Sequence, residues 1–334
     1  MSTKKTLAKV ALGTAVGATA LVGAVIPVAY ELILNIPFAA KIGEKFTPAT
    51  IPIPEEEAEA QAQAENAGPS ETERFQAAVG QWHSCHQASD LFIVNEKGQK
   101  RHAKVFDNGH PEKWAIIFHG YTSNPCGMYH YAFTYAEMGF NCLLPSMIGH
   151  GDDPNSHCSM GYHDRYMGLD FINYICTLYP DCEIVLHGES MGAATTMLIT
   201  GEKLPSNVKC AVSDCGFTTV FEEYSHVSDK QISPLLTPLL PAISKYSELR
   251  GNFNFKKCSP REAVRNSVTP TLFIHGEADD FVPFRMLNEV YTACSAPKEF
   301  FTVRNAAHAE SSTKAPVLYW NNVYSFVKKY IKSW

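Results

Sequence analysis

The 334-residue sequence has no concentration of positive charge in its long C-terminal part, and its net charge is −6. Its 28 Lys and Arg residues are outnumbered by 34 Asp and Glu residues and do not cluster on any one segment there. Proteins that bind nucleic acid concentrate basic side chains on one face. The composition therefore excludes nucleic acid as an expected partner.

A metal-binding signature is also missing, although the chain has 10 cysteines and 13 histidines. No paired C-x-x-C motif is present. The stretch His83–His86 and the set His150, His157, Cys158 and His163 hold potential ligands, but neither has a companion set at zinc-site spacing. We interpret both as loop and capping residues and expect no metal and no cofactor. Several cysteines lie in apolar runs and are interpreted as buried thiols, although their even number permits disulfides.

Charged side chains are absent from Val10–Tyr30, a run of 21 residues that follows Lys4, Lys5 and Lys9. This run is long enough to span a bilayer, and the lysines orient its N-terminus towards the cytoplasm. We therefore predict a cytoplasmic segment over residues 1–9 and a transmembrane signal-anchor over 10–30, with the rest of the chain outside the cytoplasm. A cleaved signal peptide, which gives a secreted protein, is the alternative, and a buried helix is a third.

Basic residues are missing from Glu55–Glu73, which holds seven glutamates and many Ala and Gln residues. Such a composition cannot build a hydrophobic core. We predict that residues 31–73 form an acidic linker, which holds residues 74–334 away from the membrane. The C-terminal part contains no internal repeat, and its roughly 260 residues suit one large α/β domain.

Apolar runs of strand length recur through residues 74–334, and most are separated by helix-like stretches. This alternation predicts an α/β fold with a mainly parallel sheet covered by helices on both faces. A turn at Asn95–Gly98 predicts an antiparallel hairpin at its start. A Leu- and Pro-rich stretch within about 218–258 predicts a short helical cap, which covers either the core or the substrate. The strand-like runs are Leu91–Val94, Ala115–Phe118, Cys142–Leu144, Ile184–Leu186, Ala211–Val212, Leu272–Ile274 and Phe300–Val303.

The pentapeptide Gly188–Gly192 lies directly between an apolar run and a helix-prone run, Ala193–Leu198. A nucleophilic serine needs a sharp strand-to-helix turn, and only small residues two positions either side let that turn pack. The pentapeptide alone occurs by chance on the order of once in ten chains of this length. Its setting between strand and helix therefore carries the prediction that Ser190 is a nucleophile.

A serine nucleophile needs a base and an acid that orients the base, and both follow Ser190 in the order that this architecture uses. The acid is predicted to be Asp279 rather than Asp280, because Asp279 stands three residues after Gly276 at the end of an apolar strand. An acidic residue in such a place often only caps a turn. The base is predicted to be His308, in the loop after the last strand.

An oxyanion hole is predicted from the run Trp114–Asn124, which has the pattern of a buried strand that opens into a loop with Gly120. One backbone N–H of such a hole comes from this loop and the other from the residue after the nucleophile. The predicted donors are therefore the main chains of Tyr121 and Met191. We interpret His119 as a structural histidine that orients the loop.

With these residues the chain resembles the α/β-hydrolase superfamily. Within it, the chain looks closest to a bacterial group of membrane-anchored or exported proteins. Members of this group are described as serine-aminopeptidase-like or acetyl-esterase-like. The resemblance extends from Gln81 to the C-terminus. Members usually have Asp and Arg where this chain has Ser146 and Ile148, so we expect a different wall beside the site. The matching segments are His119–Asn124, Gly149–Gly151, Met160–Arg165, His187–Ala194, Gly201–Pro205, Asp214–Thr218 and His275–Pro283.

These residues and the resemblance predict a serine hydrolase that cleaves small to medium carboxylic esters through an acyl-enzyme. A serine peptidase or an acyltransferase would use the same three residues, and a non-catalytic membrane-tethered binding protein is a further alternative. The expected partners are a small ester or acyl substrate and the membrane, and the oligomeric state stays open. Because His308 must be neutral to act as a base, activity is expected to fall on acidification.

Overall fold

The computed structural model describes residues 25–35, 69–155, 157–232 and 234–333. Its strands are β1 (Ser89–Val94), β2 (Lys100–Phe106), β3 (Lys113–Phe118), β4 (Asn141–Pro145), β5 (Glu183–Glu189), β6 (Val208–Asp214), β7 (Thr271–Gly276) and β8 (Lys298–Val303). They form one sheet in the order β1-β2-β4-β3-β5-β6-β7-β8. β2 pairs antiparallel with β1 and β4, whereas the other pairs are parallel. The predicted mainly parallel sheet is confirmed.

The central strands are buried on both faces, as parallel strands covered by helices must be. Every residue of β3 is buried. Because successive side chains of a strand point to opposite faces, Ile116 and Phe118 join one apolar cluster, whereas Ala115 and Ile117 join the other. The continuous apolar run that identifies this strand in the sequence thus contributes side chains to two hydrophobic cores, one on each face of the sheet.

Helices cover both faces of the sheet. α4 supplies Phe171 and Ile175 to one apolar cluster, and α11 supplies Tyr319 and Phe326 to the other. The helices are α1 (residues 25–34), α2 (Glu71–Cys85), α3 (Tyr129–Glu137), α4 (Asp164–Leu178), α5 (Met191–Thr200), α6 (Val220–Val227), α7 (Leu240–Leu249), α8 (Pro260–Arg265), α9 (Arg285–Ala293), α10 (Ser311–Lys314) and α11 (Pro316–Val327).

The hairpin between β1 and β2 turns at Asn95–Gly98, where the sequence predicts it, and Ser89 to Val94 pair with Val105 to Lys100. Asn95 closes the turn, since its side-chain Oδ1 accepts from the backbone N–H groups of Lys97 and Gln99. The sheet therefore begins with the antiparallel pair expected from this turn.

The stretch for which a cap is predicted, about 218–258, is mostly helical in the described residues. It contains α6, a π-helical turn (Ser228–Ile232), a 3-10 helix (Pro234–Leu239) and α7. Leu240 and Ile243 of α7 are fully buried in the larger core. These helices therefore belong to the packed domain.

Only part of the predicted N-terminal organisation falls in the described residues. Residues 10–24 of the predicted anchor and residues 36–68 of the predicted linker lie outside them. None of the helices in the described ranges is long and apolar enough to cross a membrane. α2 begins at Glu71, because Ser70 caps it in a reciprocal pair of hydrogen bonds with Glu73. The helix therefore starts three residues before the expected domain boundary.

Residues 25–35 pack against the larger hydrophobic core of the domain. Leu34 is fully buried in the core that also contains Cys158. The backbone carbonyl of Leu34 accepts a hydrogen bond of 2.9 Å from the N–H of Cys158. Glu31 Oε2 lies 3.0 Å from His157 Nε2. This short segment is thus part of the domain.

Candidate active site

Ser190 stands on the turn between β5 and α5 with backbone angles of φ 55° and ψ −114°. Such angles are strained for a residue other than glycine, and they persist only where the surroundings impose them. Here the Ser190 N–H donates to the Asp214 carbonyl of β6 at 2.9 Å, and the Ser190 carbonyl accepts from Ala194 at 3.0 Å. The side chain is thereby held at the carboxyl edge of the sheet.

Two glycines make this turn possible through close approach of backbone to backbone. A Cβ on Gly192 would lie 2.0 Å from the carbonyl oxygen of Phe118 in β3. A Cβ on Gly188 would lie 2.0 Å from the carbonyl oxygen of Gly192. The glycines of the motif are therefore required by the packing of α5 against β3 and β5.

The structure brings Ser190, His308 and Asp279 into one hydrogen-bonded chain. His308 Nε2 lies 2.8 Å from Ser190 Oγ, and His308 Nδ1 lies 2.8 Å from Asp279 Oδ2. The Asp279 side chain is fully buried, whereas that of His308 is 21% exposed. The three residues predicted from the sequence therefore meet at the distances that a nucleophile, a base and an orienting acid require.

Asp279 is oriented by four contacts. Its Oδ1 accepts from the N–H groups of Phe281 and Val282, at 3.0 and 2.9 Å, and its Oδ2 faces His308 and, at 3.2 Å, His275 Nε2. Burial alone would raise the pKa of Asp279, but hydrogen bonds and charge from His275 and His308 outweigh it and lower the pKa. His275, which sequence reasoning did not select, thus favours the ionised form of Asp279.

The loop after β3 passes directly against Ser190. A Cβ on Gly120 would lie 3.5 Å from Ser190 Cβ, and Tyr121 follows at once in the chain. Met191 is the first residue of α5, so its N–H is one of those that an α-helix leaves without an internal acceptor. The two residues predicted as oxyanion donors therefore flank Ser190.

Two buried histidines connect the loop after β3 with the loop after β4. His119 Nε2 accepts from the Met147 N–H at 3.2 Å, and its Nδ1 lies 2.8 Å from the Gly120 carbonyl. Burial lowers the pKa of His119 to about 3, so it stays neutral. His150 Nε2 accepts from the Thr122 N–H at 3.2 Å. These histidines brace the loop that carries Tyr121.

At the positions where similar proteins usually have Asp and Arg, a different brace is present. The Ile148 N–H donates to Asp164 Oδ1 at 2.7 Å, and Ser159 Oγ donates to Asp164 Oδ2 at 2.6 Å. Ser146 Oγ lies 2.8 Å from His102 Nδ1. Asp164, fully buried at the start of α4, thus holds the wall beside the site.

Two carboxyl groups, those of the fully buried Asp214 and the partly buried Glu189, lie beneath the nucleophile turn, and sequence reasoning missed them. Tyr131 Oη lies 3.0 Å from Glu189 Oε2 and 3.3 Å from Asp214 Oδ2. Burial, followed by the charge of Asp214, raises the pKa of Glu189 to about 7. Burial raises the pKa of Asp214 to about 6. Glu189, the residue before Ser190 in the motif, is therefore about half protonated at neutral pH.

The two histidine-bearing stretches have structural contacts. His86 Nδ1 lies 2.9 Å from the Trp82 carbonyl, and His163 Nε2 lies 3.1 Å from the Asn252 carbonyl. Among the residues that the structure describes, the sets with three potential ligand atoms within 4.8 Å are Cys215–Asp279–His308 and Asp90–His102–Asp152. All ten cysteines lie in described ranges, and none forms a disulfide.

Two family models match this chain, and the matched residues include the candidate active site. The family model described as alpha/beta hydrolase fold matches residues 115–232, and the model of the prolyl oligopeptidase family matches residues 177–333. An uncharacterised Bacillus subtilis protein, YqkD, is 28% identical over 217 residues, which cover 64% of this chain and 70% of that protein. The two matched segments together include Ser190, Asp279 and His308.

Solved structures show the same fold at low sequence identity. The Pyrococcus furiosus esterase Pf2001 aligns with a TM-score of 0.60 at 21% identity and covers 74% of this chain and 93% of its own. A Pyrococcus horikoshii acylaminoacyl peptidase aligns with a TM-score of 0.54 at 18% identity, over 75% of this chain and 43% of its own. With its mainly parallel sheet, its strained serine turn and both family matches, this chain belongs to the α/β-hydrolase superfamily.

Proposed function

We propose that the protein is a serine hydrolase that cleaves carboxylic esters with small to medium acyl groups. Ser190 is the nucleophile, His308 the general base and Asp279 the acid that orients it. The observation that carries this proposal is the continuous contact from Asp279 Oδ2 through His308 to Ser190 Oγ, at 2.8 Å for each step. Each residue thus has the partner that its role requires.

In the first half-reaction, Ser190 Oγ attacks the ester carbonyl carbon while His308 Nε2 takes the hydroxyl proton. The backbone N–H groups of Tyr121 and Met191 stabilise the oxyanion, and Asp279 stabilises the imidazolium. The C–O bond breaks, and His308 returns the proton to the departing alcohol. Water then attacks the acyl-enzyme in the same way, which releases the acid and restores Ser190.

A peptidase is the second candidate, because the prolyl oligopeptidase family model matches residues 177–333, which include all three proposed catalytic residues. An acyltransferase would use the same residues with another acceptor in place of water. The distinction lies in the leaving group and the acceptor, so substrate profiling decides between these activities.

The test is labelling with a fluorophosphonate probe, followed by mass spectrometry of the modified peptide and turnover of short p-nitrophenyl esters. We expect the probe on Ser190, and we expect Ser190→Ala to lose labelling and several powers of ten in kcat. Ser84→Ala, at an exposed serine, is the matched control and should behave as the native chain. Label on Ser190 with peptide turnover but no ester turnover would favour the peptidase. A folded protein without label would favour a binding protein.

We also propose that the uncharged N-terminal run anchors the protein in the cell membrane with the hydrolase domain outside the cytoplasm. Ala29 and Tyr30 are buried against the domain, so the membrane-spanning part of the proposed anchor would end before them. Because Ile26 also packs on the core, the membrane-embedded part of the anchor would lie before it, within the uncharged residues 10–25. Carbonate extraction of membranes that contain the full chain tests this, and recovery of the intact chain in the soluble fraction would contradict it.

A further inference from the structure

Glu189 and Asp214 occupy paired positions at the carboxyl ends of two neighbouring strands. Glu189 of β5 and Asp214 of β6 are Cα partners in the parallel ladder. Their side chains reach the same hydroxyl group, because Tyr131 Oη lies 3.0 Å from Glu189 Oε2 and 3.3 Å from Asp214 Oδ2. Like charges at paired positions of neighbouring strands destabilise a sheet. Two ionised carboxylates at this place would therefore repel each other.

The hydroxyl group of Tyr131 cannot satisfy two carboxylates. A phenol has one proton to donate, and an ionised carboxylate can only accept. Both contacts of Tyr131 are hydrogen bonds only when one carboxyl group carries a proton and donates it to the phenolic oxygen. Asp214 Oδ1 is also buried and has no hydrogen-bond partner among the described residues, which adds to the cost of ionising both groups. The contacts thus favour at least one proton on the two carboxyl groups.

The surroundings of the two carboxyl groups do not offset this cost. Burial raises the pKa of Glu189 to about 7 and that of Asp214 to about 6, and no lysine or arginine is among the groups that shift either value. Burial lowers the pKa of His130 to about 4 and that of His187 to about 3, so both of these rings, which contact Tyr131, are neutral. The other titratable groups that face the two carboxyl groups are Tyr131 of α3, Cys215 after β6, His275 of β7, His308 after β8 and Tyr319 of α11.

Both carboxyl groups are joined to the nucleophile turn. Glu189 directly precedes Ser190, and the backbone carbonyl of Asp214 accepts the Ser190 N–H at 2.9 Å. A Cβ on Gly120 would lie 3.6 Å from Glu189 Oε1, so Glu189 also borders the loop that carries Tyr121. The strained angles of Ser190 persist only while its surroundings impose them. Repulsion between the two carboxylates would therefore act on Ser190 through the backbone.

We infer that Glu189 and Asp214 share a proton that keeps Ser190 in position, and that loss of this proton above neutral pH displaces Ser190 and slows its attack. This inference rests on the proposed function, in which Ser190 is the nucleophile. The proton leaves to solvent through Glu189, which is only partly buried. Both residues are positioning residues, because they act through Ser190. The requirement for neutral His308 limits the reaction at acidic pH, so the rate should pass through a maximum.

The test measures the rate constant for fluorophosphonate labelling of Ser190 in the full-length chain from pH 5 to pH 9. The native rate should fall by about tenfold or more between pH 7 and pH 9, because a group with a pKa near 7 is only about 1% protonated at pH 9. Glu189→Gln carries an uncharged amide that donates to Tyr131 at every pH, so its rates at pH 7 and pH 9 should be about equal. Asp214→Asn should also remove the fall, since one carboxylate remains without a charged neighbour.

Glu277→Gln is the matched control, because Glu277 follows the adjacent strand β7, is exposed and accepts a hydrogen bond from Thr302. This variant should keep the native fall. Circular dichroism at each pH shows whether each chain is folded.

Two results would overturn the shared proton while label on Ser190 left the proposed function intact. The first is a native labelling rate that stays level from pH 7 to pH 9. The second is a fall of native size in a folded Glu189→Gln or Asp214→Asn chain. Absence of label on the folded native chain at every pH would overturn the proposed function itself, and this inference with it.

Discussion

The phenolic Oη of Tyr121 donates a hydrogen bond of 2.8 Å to the backbone carbonyl of Ile33, 88 positions earlier in the chain. Tyr121 belongs to the loop proposed to stabilise the oxyanion, whereas Ile33 belongs to α1. Leu34, the next residue, is fully buried in the core. The short N-terminal segment therefore holds one wall of the candidate active site, although more than thirty residues separate it in the sequence from Glu71, where α2 begins.

The buried side chain of Leu34 should be required for stability and for the position of Tyr121. Leu34→Ala is expected to lower the free energy of unfolding by about 2–4 kcal/mol, because it removes buried methyl groups and leaves a cavity. Ester turnover should fall with it. Leu32→Ala, at a side chain exposed on the same segment, should change stability by less than about 0.5 kcal/mol. Urea unfolding of both variants measures this, and equal effects would mean that α1 does not pack as described.

Asp279 should be required for catalysis, whereas the adjacent Asp280 should not. Asp279→Asn removes the carboxylate that orients and stabilises the His308 imidazolium, so kcat should fall by about 10⁴. Asp280 is exposed, and Asp280→Asn should stay within about threefold of the native kcat. Steady-state kinetics on one p-nitrophenyl ester compares the two variants. Similar losses in both would remove Asp279 from its proposed role.

The lowered pKa of Asp279 also predicts a pH dependence of stability. The carboxyl group is more acidic in the folded chain than its ordinary value of 3.8, so its ionised form stabilises the fold above that pH. This contribution is lost as the pH falls through the lowered pKa. The difference in unfolding free energy between the native chain and Asp279→Asn should therefore shrink from pH 6 towards pH 3. A difference that grew on acidification would contradict the sign.

The raised pKa of Glu189, about 7 instead of 4.5, predicts the opposite pH dependence of stability. Protonated Glu189 makes its full contribution to the stability of the fold below pH 4.5. This contribution is lost as the pH rises through 7. Glu189→Gln stays neutral, so it should gain stability over the native chain between pH 5 and pH 8 by on the order of 1–3 kcal/mol. Thermal unfolding at both pH values measures this. The exposed Glu96→Gln serves as control, and a gain at pH 5 alone would refute the prediction.

The nucleophile turn should not accept a methyl group at Gly192. Gly192→Ala places its Cβ 2.0 Å from a β3 carbonyl oxygen, so α5 must shift, and both folding yield and Ser190 labelling should be largely lost. Gly80, in the interior of α2, has no atom within 4 Å of a Cβ built on it. Gly80→Ala should therefore raise the free energy of unfolding by about 0.5–1 kcal/mol. Comparable destabilisation by both changes would show that backbone contact is not the cause.

The order of strands and helices could be predicted from the sequence because apolar periodicity and turn residues act locally. The continuous apolar run at Ala115–Phe118 identified a central strand, and Asn95–Gly98 identified a hairpin. Ser190, Asp279 and His308 could be selected because each follows a strand whose carboxyl end lies at the same edge of a parallel sheet. They were selected from their order in the chain and their positions at strand ends, both of which can be read from the sequence alone.

Distances between residues far apart in the chain were decided only by the tertiary structure. The pairing of β5, β6 and β7 brings Glu189, Asp214 and Asp279 to one edge, and the packing of α3 there places Tyr131 between the first two. Likewise, no local sequence pattern indicates that α1 docks on Tyr121 or that Glu223 is buried. Periodicity records which face of an element is apolar, whereas the partner of a buried polar group depends on how separate elements pack. The sequence therefore determined the elements and the candidate nucleophile, base and acid, and the tertiary structure determined their surroundings.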